Sequence, residues 1–136
     1  MKMVDTNIVI DLLERDEKWF GWSLDALARA GQEGPVSASV IVVGELALQI
    51  EGLADIHALL DGYGVAIAPL NDAAAYAAGM ARRAYRLAGG SREKLLADFL
   101  IGGHAQSAGA TLLTRDPRRY RSYFPSLALI TPESHP

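Results

Sequence analysis

The chain has 136 residues, 50% of them hydrophobic and 21% charged, a balance that excludes a disordered polypeptide and suits a single domain, residues 1–136, around one core. Its formal charge of −3 argues against binding nucleic acid through a wholesale basic surface and leaves room only for a local basic rim. The absence of cysteine removes disulfides and thiolate metal sites; with no leader pattern and no apolar run of the roughly 18 residues a span needs, a soluble cytoplasmic protein with no membrane partner is expected.

The first predicted strand ends at once on a carboxylate. Met3-Val4 is short and apolar, Asp5 closes it, and Ile8, Val9, Asp11, Leu12 and Leu13 continue at helical spacing. A second helical stretch is expected from Asp16-Glu17 to about Ala30, with Trp19, Phe20 and Trp22 bunched at its start. They read either as core and boundary packing or as part of a partner-binding groove. Val36-Ser37 reads as a second strand, Ser37 or Ser39 as the cap of a helix from about Val40 to Gln49 or Ile50, and the stretch from about Ala54 to Leu60 as another helix. Val65 to Ala68 is a third strand, closed by Pro69. Asn71 caps a long alanine-rich helix to about Leu87, with Tyr76, Met80, Ala84 and Leu87 as its apolar stripe. Gly89-Gly90 stops it, and Ser91 starts a helix that runs through about Ser107. Thr111 to Thr114 is the fourth strand and Leu127 to Thr131 the fifth, and the residues from Pro132 onward are expected to fray. Strands alternating with helices at this spacing imply right-handed crossovers, hence an α/β fold with a largely parallel five-stranded sheet and helices on both faces.

Most of the acids, Asp11, Asp16 and Glu17 among them, lie in polar surroundings or at helix starts, where solvation and the helix dipole account for them. Glu45 and Asp98 do not. Glu45 interrupts Val40-Ile41-Val42-Val43-Gly44 and Leu46-Ala47-Leu48, and Asp98 is the only polar side chain between Leu95 and Gly103. A carboxylate on such a face is unfavourable by several kcal/mol unless it is paired, protonated or bound to a cation. Asp5 and Asp116 share another situation, each following a strand directly, where an open parallel sheet has its functional crevice. Taken singly, Asp5 could be a helix cap and Asp116, before Pro117, a turn former. Together the four would repel one another unless hard cations neutralised them, and an oxygen-only set suits Mg²⁺ or Mn²⁺. Such ions can activate water and polarise a phosphodiester.

Val4-Asp5-Thr6-Asn7, Glu45 within Ser39 to Leu46, Asp98-Phe99-Leu100-Ile101-Gly102, and Leu112 to Asp116 with Arg119-Tyr120 and Tyr123-Phe124-Pro125 resemble the PIN-domain toxins of the VapC type, in order and at matching spacing along essentially the whole chain. The resemblance implies a three-layer α/β/α fold with strand order 3-2-1-4-5, and a Mg²⁺- or Mn²⁺-dependent endoribonuclease toxin of a type II toxin–antitoxin system. It implies that Asp5, Glu45, Asp98 and Asp116 are the catalytic, metal-holding quartet, with Thr6 and Thr114 hydrogen-bonding beside them. It also implies a small VapB-type antitoxin as partner and a homodimer formed through helices. Ala97 departs from the pattern, since relatives often carry Pro before that acid.

For the RNA substrate, Arg115, Arg118, Arg119 and Arg121 crowd beside Asp116, interleaved with Tyr120 and Tyr123. Arg118 and Arg119 are the candidate phosphate-binding residues and the tyrosines candidate stacking partners for bases; the alternative is a solvated loop with a few ion pairs. His104, on an apolar helix face, reads as a satisfied structural residue. Two other functions fit parts of the pattern: a catalytically silent PIN scaffold that only binds, and a haloacid-dehalogenase-like phosphatase. The phosphatase motif needs an acid two residues after the first Asp, where this chain has Asn7.

Overall fold

The structure, a computed structural model, describes residues 1–90 and 96–136. Five strands, β1 (Lys2–Val4), β2 (Val36–Ser39), β3 (Val65–Ala68), β4 (Thr111–Leu113) and β5 (Leu129–Ile130), form one sheet in the order β3-β2-β1-β4-β5, with every pairing parallel. In register, Val4 stands between Ala38 and Leu113, which brings Asp5, Ser39 and Thr114 to one rim at the carboxyl ends of the central strands. The Asp5 amide donates to the Leu113 carbonyl at 2.9 Å, so β1 stays tied to β4 up to the acid itself. Met3, Val4, Ala38, Leu112 and Leu113 are all buried, as expected of central strands covered on both faces.

The connections supply the cover. α1 (Thr6–Glu14) and α2 (Phe20–Glu33) join β1 to β2; α3 (Val40–Leu46) and α4 (Leu53–Gly62) join β2 to β3; α5 (Asp72–Leu87) and α6 (Leu96–Ser107) lead back to β4; α7 (Arg118–Tyr123) precedes β5. The chain steps one way along the sheet from β1 to β3 and the other way from β3 to β5, which with right-handed crossovers puts helices on both faces. Ser39 caps α3 through Ile41 N and Asn71 caps α5 through Ala74 N. α6 packs tightly on α5: a Cβ added at Gly103 would sit 2.5 Å from the Ala78 backbone nitrogen, so only glycine permits this approach.

Several expectations are corrected. α2 begins at Phe20 rather than Asp16, because the Asp16 carboxylate accepts from the amides of Lys18 and Trp19 and holds a separate turn. The apolar stripe expected on α5 faces outward, Tyr76 at 70% and Leu87 at 79% exposure, while the face turned inward carries Ala74 and Ala78. The small residues win the inner face because they allow the close approach to Gly103. The tail does not fray: Thr131 and Ser134 hydrogen-bond to each other, Arg121 pairs with Glu133 at 3.0 Å, and Trp22 Nε1 donates to the His135 carbonyl at 2.8 Å. α7 has no counterpart among the elements read from periodicity, its six residues being too few to display a helical period. The expected start of the penultimate long helix, Ser91 to Leu95, lies outside the described residues.

Candidate active site

Asp5, Glu45, Asp98 and Asp116 line one cleft of about 220 Å³, together with Thr6, Asn7, Arg119 and Tyr120. Each acid arrives from a different place in the chain. Asp5 caps α1 at the end of β1, Glu45 projects from the last turn of α3, Asp98 from the first turn of α6, and Asp116 from the turn after β4. Two of the helices are clamped together beneath the cleft. Ser39, the cap of the Glu45 helix, lies 2.7 Å from Nδ1 of His104 on the Asp98 helix, and burial holds the His104 pKa below its usual value.

Hydroxyl groups and one guanidinium engage the acids individually. Thr6 Oγ1 donates to Glu45 Oε1 at 2.5 Å, and Thr114 Oγ1 donates to Asp5 Oδ2 at 2.8 Å. Asp5 also accepts from the Thr6 amide at 2.8 Å and from Asn7 Nδ2 at 3.2 Å. Thr114 Oγ1 in turn accepts from the Asp116 amide at 3.1 Å, linking the two strand-end acids through one hydroxyl. Arg119 Nη1 donates to Asp98 Oδ2 at 2.6 Å, and Asp116 is exposed.

Asp5, only 6% exposed, has its pKa raised from 3.8 to about 7. Burial is the main cause, and the charge of Asp98 adds to it against the lowering effect of the Thr114 and Thr6 hydrogen bonds. An acid so placed is short of positive charge, and the donor set is all oxygen, which fits a hard divalent cation. Among the described residues, however, no three acidic or histidine side chains form a preassembled metal-binding group. Glu45 meets Thr6 through Oε1 and Asp98 meets Arg119 through Oδ2, so each would ligate a cation through its other oxygen.

The described strand order and this rim of acids accompany a sequence match: the PIN-domain family model covers residues 2–124. The chain belongs to the PIN-domain family. In fold, this PIN domain is similar to VapBC-1 from nontypeable Haemophilus influenzae (TM-score 0.72, 23% identity, 96% of each chain covered). It is likewise similar to VapBC2 from Rickettsia felis bound to a DNA fragment from their promoter (TM-score 0.70, 22% identity, covering 96% of this chain and 97% of that one). FitAcB from Neisseria gonorrhoeae matches at a TM-score of 0.64 and 22% identity, with 98% and 99% covered. No curated protein matches by sequence.

The arginines of the PIN domain part ways. Arg115 is a structural residue: its Nε lies 2.9 and 2.8 Å from the two oxygens of Asp11, which also accepts from Ser23 Oγ at 2.8 Å. Asp11 is thus not the solvated acid its sequence neighbours suggest, but a 1%-exposed carboxylate paired with an arginine that follows the neighbouring strand β4. Arg119 stands in the acid cleft, and the exposed Arg118 lines a neighbouring open groove with Trp19, Arg121 and Asp116. The tyrosines that are candidates for base stacking are held within the protein to different degrees, Tyr123 being only partly buried. Tyr120 is 2% exposed, and Tyr123 stacks on Phe99 with ring centroids 4.2 Å apart. Asn7, which sequence reasoning used only to argue against a phosphatase, bridges Asp5 and the Arg115 amide; its signal was its place in the run Asp5-Thr6-Asn7.

Proposed function

We propose that this PIN domain is the toxin of a VapBC-type type II toxin–antitoxin pair, a Mg²⁺- or Mn²⁺-dependent endoribonuclease acting in the cytoplasm. The observation that carries this reading is the convergence of Asp5, Glu45, Asp98 and Asp116 on one cleft at the carboxyl ends of β1 and β4, with Asp5 pushed toward its protonated form by burial and by the charge of Asp98. A divalent ion held by these four acids would supply the charge that polarises a scissile phosphate and activates water for in-line attack. The residues of the chain do the rest. Thr6 and Thr114 fix the directions of the Glu45 and Asp5 carboxylates, and the Ser39–His104 contact fixes the spacing of the helices that carry Glu45 and Asp98. Arg119 in the cleft and Arg118 in the adjoining groove bind the phosphates on either side of the cleaved bond.

The partner reading draws on the fold neighbours, which are VapBC complexes, and names a small VapB-type antitoxin that covers the acid cleft. The homodimer reading draws on the outward stripe Tyr76, Met80 and Leu87 of α5. No helix among the described residues is long and apolar enough to cross a membrane.

The test is incubation of total cellular RNA with the purified, antitoxin-free protein and Mn²⁺ or Mg²⁺, beside a chelator control and Asp98→Asn. Discrete fragments that disappear in both controls are expected. A folded protein that cuts no RNA with either metal would instead be the silent binding scaffold.

A further inference from the structure

The groove beside the acid cleft contains an aromatic ring to which the function above gives no task. Trp19 lines it with Pro117, Pro132 and the arginines Arg118 and Arg121, around a space of about 670 Å³. Pockets of about 300–1,000 Å³ hold small organic ligands, so a nucleotide fits this one. Asp116 lines both the groove and the acid cleft, so a strand whose phosphate reaches the acids passes from one into the other.

Trp19 is set in place before any ligand arrives. Its amide donates to the Asp16 carboxylate at 2.8 Å and its carbonyl accepts from the Ser23 amide at 2.9 Å, which fixes its backbone at the start of α2. The Arg115 guanidinium, anchored on Asp11, stands 5.8 Å from the ring centroid and braces it. Lys18 Nζ lies 4.9 Å from the ring on an exposed side chain, and the ring itself is only partly buried. The cations around it are available to an anion. Arg118 is exposed, and Arg121 pairs with the exposed Glu133 at 3.0 Å, a surface pair worth little and readily exchanged for a phosphate. A fixed aromatic face among cations, continuous with a phosphodiester site, has the chemistry of a single-stranded nucleic-acid groove, in which the base stacks and the backbone is held by charge. A purely apolar segment would leave these arginines without a partner.

We propose that Trp19 is the stacking platform for a base of the RNA beside the cleaved bond, with Arg118 and Arg121 on the phosphate of the same nucleotide. The inference rests on the ribonuclease reading given above and adds to it the residue that meets a base. Tyr120, a sequence candidate for that task, is buried at 2% exposure, whereas Trp19 opens onto the path of the strand.

The test uses the full chain with Asp98→Asn to prevent cleavage, Mn²⁺, and a short single-stranded RNA of mixed sequence as probe. Trp22→Phe leaves Trp19 as the one tryptophan of the chain, so its emission is read directly and on the native residue. Saturable quenching of that emission by the RNA is expected. Loss of one base-stacking ring weakens binding about tenfold or more, so Trp19→Ala should raise the Kd for the RNA by that factor, and Trp19→Phe should recover part of the loss. RNA binding that leaves Trp19 emission unchanged, or Trp19→Ala with undiminished affinity, overturns this proposal alone. If Trp19→Ala in the otherwise native chain cuts RNA normally but escapes inhibition by a VapB-type antitoxin, the groove belongs to the protein partner and the proposal is likewise overturned. Native chain that cuts no RNA with Mn²⁺ or Mg²⁺ overturns the ribonuclease reading and this proposal together.

Discussion

Replacing Asp5 by Asn in the metal-free protein should stabilise it at alkaline pH and not at acid pH. In the native state the Asp5 carboxyl titrates at about 7, against 3.8 for the ordinary side chain. Between those values the folded protein keeps a proton that the unfolded chain has released, so stability falls as pH rises through the window. At about 1.36 kcal/mol per pKa unit, the full gap is worth about 4 kcal/mol by pH 8 and about 1–2 kcal/mol at pH 5. Asparagine escapes this penalty and keeps an acceptor for the Thr6 amide. It forfeits the acceptor at Oδ2: the Thr114 hydroxyl must turn to accept, and Asn7 Nδ2 loses its contact, together about 1–2 kcal/mol. Asp5→Asn should therefore be more stable than wild type by about 2–3 kcal/mol at pH 8, with the two proteins crossing near pH 5. Urea denaturation in chelator at both pH values reads this directly, provided the m-value is unchanged. His104 slopes the other way, its lowered pKa giving stability that is full above about 6.5 and is lost as pH falls, but that contribution is common to both proteins and cancels. A difference between the proteins that is the same at pH 5 and pH 8 would refute the reasoning.

Gly103→Ala should destabilise by about 1–3 kcal/mol, read as a lower urea midpoint, because the new methyl meets the backbone of Ala78 rather than a side chain that can move. Arg115→Ala leaves the Asp11 carboxylate buried with Ser23 as its one remaining side-chain donor among the described residues, so a loss of about 3–5 kcal/mol is expected in the same assay. Arg118→Ala should leave stability within about 0.5 kcal/mol of wild type, the side chain being exposed. If it meets RNA phosphate, that variant also weakens binding and lowers the salt slope of log K by roughly one ion, as titrations at several salt concentrations would show.

The parts of this site legible in the sequence are those whose signal is local. Glu45 and Asp98 break apolar runs, and Asp5 and Asp116 close strands, so each acid declares itself within a few residues. What escaped are properties fixed by partners far along the chain. Asp11 looks like any solvated helix acid until Arg115, 104 residues on, is folded against it. Asp98 reads as an uncompensated charge until α7 swings Arg119 over it. The α5 helix misled for a different reason: its large apolar residues and its alanines form separate stripes, and which one turns inward depends on the glycine of α6 that it meets. The strand order, by contrast, came from the family resemblance, and no pattern in the strands themselves fixes it.

The cleft handles its four negative charges by four different means. Asp5 is pushed toward its protonated form, Glu45 accepts from a hydroxyl, Asp98 is paired with an arginine and Asp116 faces solvent. None of these resembles the pair between Arg115 and the buried Asp11 farther along α1, where one guanidinium reaches both carboxylate oxygens. Arg119 is about half exposed, so its pair with Asp98 is worth little and can be given up for a phosphate at small loss. A hydroxyl can rotate and a proton can leave. The two acid systems of this small domain thus differ in the kind of compensation each receives. Asp11 has both oxygens taken by one guanidinium, which makes it structural, and the cleft acids are compensated in ways that leave room for a cation.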